Sequence, residues 1–294
     1  MPAFLTPGQK VSVVTPCGSL LPSQLPDLTR GLQIWRDRGY ELDLPQLEAW
    51  GYLGGTDQQR RSQFLAAWQD PSTTALLVAK GGYGSTRLLE QWTWQGLKPK
   101  WLVGFSDVTA LLWSMAASDR PGGIHGDLLT TLSNQPTWVI EQLFGWLEGK
   151  LTQVTLAGQG WGGGKVRAKL LPANLNLATH LIATPHFPSW PAPILALEEV
   201  DELPYQVDRM LTQWRMTGHL SQLGGIALGR FSHATPAKPS LTMEQVLRDR
   251  LQDLDIPIVA NLPFGHQGEN APLPLGYPAE LDGELGTLTI FNHS

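Results

Sequence analysis

The stretch Trp101-Leu-Val-Gly-Phe-Ser-Asp-Val-Thr-Ala-Leu-Leu112 decides how the first half of this 294-residue chain folds. The apolar run Leu102-Val103 reads as a buried strand that stops at Gly104. Val108 to Met115 then reads as an apolar helix. A strand that turns sharply into a helix pushes the residue at the turn into the open, with a helix N-terminus beneath it. Here that residue is Ser106, and the placement suits a nucleophile. Residue 108 is Val, so the second glycine of a Gly-x-Ser-x-Gly elbow is missing. Ser106-Asp107 would also serve simply as a helix N-cap.

Upstream, the same strand-then-helix pattern repeats. Val11 to Val14 is a short strand ending in the turn Thr15-Pro-Cys-Gly-Ser19, and Leu25 to Arg38 is a helix with Leu25, Leu28, Leu32 and Trp35 on one face. Tyr40 to Leu44 reads as a strand and Asp57 to Asp70 as a helix carrying Phe64, Leu65 and Trp68. Ala75 to Ala79 is an unbroken apolar strand, followed by Gly81-Gly-Tyr-Gly84 and a helix from Ser85. Such alternation predicts a mostly parallel sheet with helices on both faces. The loops at 15–19, 80–85 and 104–107 then share the carboxyl edge, where such sheets carry function.

The glycine-rich run Gly158-Gln-Gly-Trp-Gly-Gly-Gly164 is a composition break. It divides the chain into an α/β domain at 1–157, a linker at 158–165 and a second domain at 166–294. In the second domain, strands are expected at 165–171, 193–199, 224–229 and 256–260. Helices are expected within 172–182, at 204–216 and at 243–254. Asn261 to Pro274 reads as a loop, and Ala279 to Phe291 has the period-two pattern of a hairpin.

Composition removes several classes of function. Net charge is −5 with no basic run, which argues against nucleic acid. The single cysteine, Cys17, excludes an internal disulfide framework and any Cys-rich metal site; it reads as a loop-packing residue more readily than a reactive one. No histidine pair has HExxH-type spacing, so no metal is expected. The twelve Trp residues show no fixed period, which argues against a repeat architecture. No basic leader followed by an apolar run opens the sequence, and no apolar stretch approaches a membrane span, so a cytoplasmic protein is expected.

Gly82-Tyr-Gly-Ser-Thr-Arg87 begins like a dinucleotide fingerprint, but its sixth position is Arg87 and no ribose-binding acid follows. A glycine turn whose backbone N–H groups line an anion site is the better reading. The glycines before Lys165 do not form a phosphate loop, because Gln159 and Val166 stand where Gly and Ser/Thr are needed. His125 and His266 are the two histidines in glycine-flanked loops. His180, His186, His219, His233 and His293 have no supporting context. Glu198 and Glu199 end an apolar strand, where they could cap the next turn or orient a histidine; their side chains point to opposite faces, so one alone can serve a given cleft.

Taken together these segments resemble the LD-carboxypeptidase family of serine peptidases, which includes murein tetrapeptide carboxypeptidases and microcin-immunity peptidases. The matching pieces stand in order: Val11 to Pro16, Gly81 to Ser85 with Arg87-Leu-Leu89, Gly104 to Leu111, His125-Gly126, Asn174-Leu175, Leu195 to Glu199, Pro204-Tyr205 with Asp208 to Met210, and Gly265-His266 with Leu273 to Gly276. The resemblance implies a flavodoxin-like N-terminal α/β domain and a β-rich C-terminal α/β domain. It implies a triad of Ser106, Glu198 and His266 assembled across their interface, an oxyanion hole from the backbone N–H groups of Gly82 and Asp107, and no cofactor. The expected substrate is a muropeptide or other small peptide, cleaved between an L-centre and a terminal D-alanine by a homodimer. The family also admits cleavage of a peptide–nucleotide conjugate, and a non-catalytic ligand-binding homologue would share the fold. Lys80, Asp127 and Pro172-Ala173 depart from the commoner family residues and touch substrate preference more than the triad.

Overall fold

The computed structural model describes residues 1–45, 48–233, 235 and 239–292. The chain opens with β1 (Lys10–Val14), α1 (Leu25–Asp37), β2 (Glu41–Asp43), α2 (Asp57–Gln69), β3 (Thr73–Val78) and α3 (Ser85–Leu89). Next come β4 (Trp101–Val103), α4 (Thr109–Ala117), β5 (Gly123–His125), α5 (Leu129–Leu132) and α6 (Thr137–Leu147). The later chain forms β6 (Gln153–Ala157), β7 (Gln159–Gly160), β8 (Lys165–Asn174), α7 (Leu175–His180), β9 (Ile194–Val200) and α8 (Pro204–Met216). It ends with β10 (Gly225–Ser232), α9 (Met243–Leu251), β11 (Ile258–Ala260), β12 (Leu273–Pro274), β13 (Pro278–Asp282) and β14 (Thr287–Phe291).

The chain folds as two units. The N-terminal one takes Met1–Lys150 and recruits two later segments, Ala183–Pro188 and Pro272–Leu275. Its sheet has the order β12-β5-β4-β3-β1-β2, with β2 to β5 all parallel and β12 antiparallel on the edge. The parallel part has the flavodoxin-like order that the family resemblance implies. Right-handed crossovers explain the two helical layers. The step from β1 to β2 runs one way along the sheet, whereas the steps through α2, α3 and α4 run the other way. Accordingly α1 packs with α5, while α2 and α4 each pack with α3. Much of the tryptophan fills this unit: Trp35, Trp68, Trp101, Trp113 and Trp146 are fully buried. Trp35 packs against Phe144 with ring centroids 4.7 Å apart, and Trp68 against Trp94 at 4.9 Å.

The two recruited segments were not legible in the sequence. Asn261 to Pro274 was expected to be a loop, yet Leu273 and Pro274 pair with His125 and Ile124 at the sheet edge. Of the 183–188 segment, Phe187 meets Trp113 edge-on at 5.1 Å. His186 Nδ1 lies 2.9 Å from Ser114 Oγ, and its Nε2 lies 3.1 Å from the Leu89 carbonyl.

The C-terminal unit holds Leu151–Ile182, Ser189–Ala271 and Gly276–Ser294. Its eight-stranded sheet has the order β6-β14-β13-β8-β9-β10-β11-β7. Strands β8 to β11 run parallel, and the flanking strands are antiparallel. The expected linker at 158–165 is a correction: it is part of this sheet. Gly158 N–H donates to Gly286 O at 2.8 Å, Trp161 N–H to Ile258 O at 2.9 Å, and Gly162 N–H to Gly283 O at 3.0 Å. The glycines are there because backbones meet, since a Cβ on Gly160 would lie 2.2 Å from the Gly283 carbonyl oxygen. The boundary expected at 157 falls at 150 instead. The helix expected at 204–216 forms with those bounds, opened by Pro204 in its first turn.

Candidate active site

In the N-terminal unit the loops at the carboxyl ends of β1, β3 and β4 come together. Between Trp101 and Ala116 every residue is buried except Ser106, which is half-buried. Ser106 has φ of 64°, a left-handed conformation that an L-residue adopts at a cost on the order of 1–3 kcal/mol. A turn of 3₁₀ helix, Ser106–Val108, leads from it directly into α4. The turn can be this tight because residue 104 is glycine: a Cβ there would lie 2.9 Å from Val108 Cγ2 and 3.2 Å from Val78 Cβ. Gly81 packs against the serine, since a Cβ at that position would lie 3.2 Å from Ser106 Cβ and 3.3 Å from its Oγ. Gly82 follows with φ of 105°, which glycine adopts without strain.

Asp107, beside the serine, is 1% exposed. Its Oδ2 accepts from the Ser85 backbone N–H at 2.8 Å, and its carbonyl accepts from Ser85 Oγ. The glycine turn and the serine turn are thereby tied together. Burial pushes the Asp107 carboxyl up, against the opposing pull of Ser85 and the Cys17 thiol. The same burial, with Asp107 beside it, raises the Cys17 thiol well above its usual range, and the side chain is fully enclosed. Cys17 is therefore an inert packing residue.

Arg60 was missed in the sequence. It lies on the polar-looking helix α2 but is 1% exposed. Its guanidinium donates to the carbonyls of Gly55 (3.2 Å), Gly84 (2.8 Å) and Pro16. Its remaining donor meets Asp57, which also holds Arg87 through paired bonds of 2.5 and 2.9 Å. Arg87 first, and then Arg60, hold the Asp57 carboxyl down at about 2. One arginine thus gathers three loops of the carboxyl edge. The only sequence signal is an arginine where the apolar face of α2 is otherwise incomplete.

In the C-terminal unit, β9 ends in Glu198 and Glu199, 0% and 3% exposed. Strand alternation sends them to opposite faces, and the structure settles which faces the histidine. Glu198 Oε2 lies 2.6 Å from His266 Nδ1. Glu199 accepts from Asn174 Nδ2 at 3.0 Å, from the Asn176 backbone at 2.7 Å and from the Val200 backbone at 2.8 Å. Burial raises the Glu199 carboxyl to about 7 despite those donors. The close approach of the histidine loop needs glycine at 265, where φ is 117° and a Cβ would lie 3.0 Å from Glu198 Cβ. Burial pulls the His266 imidazole down, but the Glu198 carboxylate, by charge and hydrogen bond, more than offsets it; the net direction is up. In the neutral ring Nδ1–H donates to Glu198, and the lone pair stands on Nε2. A ring held so can take a proton and be stabilised as the cation.

Of the sequence-stated site residues, Gly82, Ser106 and Asp107 belong to the N-terminal unit and Glu198 and His266 to the C-terminal unit. His125, the other glycine-flanked histidine, is a fully buried core residue of β5 with its ring edge-on to Phe105 at 5.7 Å. His180 and His186 bond the Asn176 carbonyl and Ser114, and His219 stacks edge-on with Trp214. His293 lies outside the described residues. Among those described, no three His, Cys, Asp or Glu side chains are grouped to hold a metal ion, and no helix is long and apolar enough to cross a membrane.

A flavodoxin-like unit with a strained serine at a strand end, and a mixed-sheet unit with a carboxylate–histidine pair, define a two-domain hydrolase-like class. Residues 11–126 match the LD-carboxypeptidase N-terminal domain and residues 167–281 the LD-carboxypeptidase C-terminal domain. The chain belongs to the LD-carboxypeptidase family of peptidases. It is 52% identical to a protein of Synechocystis sp. named as a carboxypeptidase, over 98% of this chain and 96% of that one. It is 30% identical to the murein tetrapeptide carboxypeptidase of Pseudomonas aeruginosa, over 93% of each. The muramoyltetrapeptide carboxypeptidase of Oxalobacter formigenes superposes with a TM-score of 0.85 at 25% identity, covering 97% of this chain and 99% of that one. The microcin C7 self-immunity protein MccF, solved with aspartyl sulfamoyl adenosine, has a TM-score of 0.89 at 20% identity over 100% of this chain and 98% of that one. That last likeness is one of fold.

Proposed function

We propose that this protein is a serine carboxypeptidase that removes a terminal D-alanine from an L-configured centre of a muropeptide, in peptidoglycan recycling. The observation that carries the reading is the buried Glu198 paired at 2.6 Å with His266, in a chain whose other domain offers Ser106 on a strained strand-to-helix turn. The names of the murein and muramoyltetrapeptide carboxypeptidases among its relatives support the substrate class. The family resemblance further suggests a cytoplasmic homodimer that needs no cofactor.

In this mechanism Ser106 Oγ attacks the carbonyl carbon of the scissile amide while His266 Nε2 takes the hydroxyl proton. The backbone N–H groups of Asp107 and Gly82 receive the oxyanion. The carbon–nitrogen bond then breaks, His266 returns the proton to the departing amine of D-alanine, and an acyl ester remains on Ser106. Water, deprotonated by the same imidazole, hydrolyses that ester. Glu198 holds the ring in the required tautomer and stabilises its cation.

Mass spectrometry of the purified protein with a muropeptide tetrapeptide is expected to show loss of one D-alanine. An aminoacyl sulfamoyl adenosine run alongside tests cleavage of a peptide–nucleotide conjugate; turnover of that compound alone would overturn the muropeptide reading. The pH dependence provides a second check. Proton abstraction needs a neutral His266, and the Glu198 carboxylate holds its protonated form to higher pH than usual. The acid limb of kcat/KM should therefore fall above the ordinary histidine value of about 6.5. A limb at or below that value would contradict the assignment of His266 as base.

A further inference from the structure

Lys80 stands two residues beyond the carboxyl end of β3 and immediately precedes Gly81, the residue packed on Ser106. Its side chain is half-buried, and its ammonium donates to the Ser19 carbonyl at 2.7 Å. Among the described residues no carboxylate lies within ion-pair distance of it. Arg60 and Arg87, also on this edge, are committed: Arg60 to three carbonyls and Asp57, Arg87 to Asp57. The Ser19 loop is itself bound to the glycine turn, because Gly18 N–H donates to Gly81 O at 3.0 Å. A single loop cluster therefore holds a strained serine, the glycine turn beside it, and a half-buried ammonium whose protein partner is one neutral carbonyl.

A partly desolvated cation is costly to keep without a counter-charge. At a functional edge the counter-charge can arrive with the ligand. A carboxypeptidase differs from an internal peptidase in one group: the residue beyond the scissile bond ends in a carboxylate. Resting on the carboxypeptidase reading, we propose that Lys80 binds that terminal carboxylate and is the residue that makes the enzyme an exopeptidase. Lysine suits this task. It presents three rotatable donors on a flexible stem, so one can stay on Ser19 while the other two meet the carboxylate oxygens. A C-terminal amide would leave the ammonium without its ion, and such mismatches discriminate strongly.

The test compares an acetylated peptide ending in an L-centre followed by D-alanine with its C-terminal carboxamide, on the wild type and on Lys80→Met, Lys80→Gln and Lys80→Arg, with each variant's melting temperature recorded. The wild type should prefer the free acid by on the order of 100-fold in kcat/KM, the scale of a charge-assisted contact. Lys80→Met and Lys80→Gln should shrink that preference at least about tenfold, through a raised KM for the acid, while cleavage of the amide stays within about threefold. Lys80→Arg should keep most of the preference. Equal loss on both peptides, as a purely structural tie to Ser19 would give, or an unchanged preference, would overturn the assignment of Lys80 alone. Wild-type inactivity on both peptides would overturn the carboxypeptidase reading, and this one with it.

Discussion

Ser106→Ala should lower turnover of a D-alanine-terminated muropeptide by on the order of 10³-fold or more, with KM and secondary structure little changed. The size follows from the proposed role. Without the hydroxyl no ester can form, and what remains is uncatalysed attack by water aided only by the oxyanion donors and by binding. The fold should tolerate the change, because alanine keeps the Cβ that packs against Gly81 and removes one oxygen from a half-buried site. The strained backbone adds an independent check. At φ of 64° serine and alanine bear a similar penalty, whereas glycine does not. Ser106→Gly should be as inactive as Ser106→Ala yet more stable, by about 1 kcal/mol in denaturant unfolding. Near-wild-type turnover in either variant would remove Ser106 from the mechanism; equal stability would mean that the turn stores no strain.

The second large effect is expected at Glu198→Gln. The substitution is isosteric, so the 2.6 Å contact to His266 can be retained, and the charge is lost. Two consequences follow. The imidazolium formed during proton transfer loses its counter-ion in a site where Glu198 is fully enclosed. The amide can also turn its NH2 toward Nδ1 and trap the ring with the proton on Nε2, where it cannot act as a base. Among the described residues Glu198 Oε1 has no hydrogen-bond partner, so nothing beyond His266 fixes the orientation of a glutamine there. The fall in kcat should be about 10³–10⁴-fold, with KM within a few-fold. The acid limb of the pH profile should move down, because the carboxylate that raises His266 is gone. Loss of less than about tenfold, or an unmoved limb, would show that Glu198 does not orient the base. Glu199→Gln gives the contrast. Its carboxyl serves Asn174, Asn176 and Val200, so it should disturb the start of α7 more than the chemistry.

The local rules that worked in the sequence are short-range. Apolar runs closed by glycine placed β1, β3 and β4, and the 3.6-residue spacing placed α8 with its observed ends. The parallel sheet with helices on both faces needed only β-α alternation, whereas its flavodoxin-like strand order came from the family resemblance. What was misread shares a different cause. Glycines at 158–164 look alike whether the chain is a tether or two backbones are pressed together, and it is the distant segments Ile256–Ile258 and Gly283–Gly286, packed against them, that distinguish the two. Leu273-Pro274 is too short to announce a strand, and its partner is nearly 150 residues earlier. Arg60 has the residue type of a solvated surface, and its burial depends on carbonyls from three separate loops.

By itself, then, the amino-acid order determined the two-domain α/β class, the strand-to-helix turn that exposes Ser106, and the carboxyl edge on which Gly81, Gly82 and Asp107 gather. These depend on hydrophobic period, glycine and chain direction, which act over a few residues. Only the tertiary structure decided that Glu198 and not Glu199 meets His266, that Cys17 is sealed and Arg60 buried, and that the glycine run belongs to the sheet. Two adjacent glutamates on a strand differ by nothing except the face they point to. Which face holds the histidine is set by the path of a loop about 70 residues later, and no local preference encodes it.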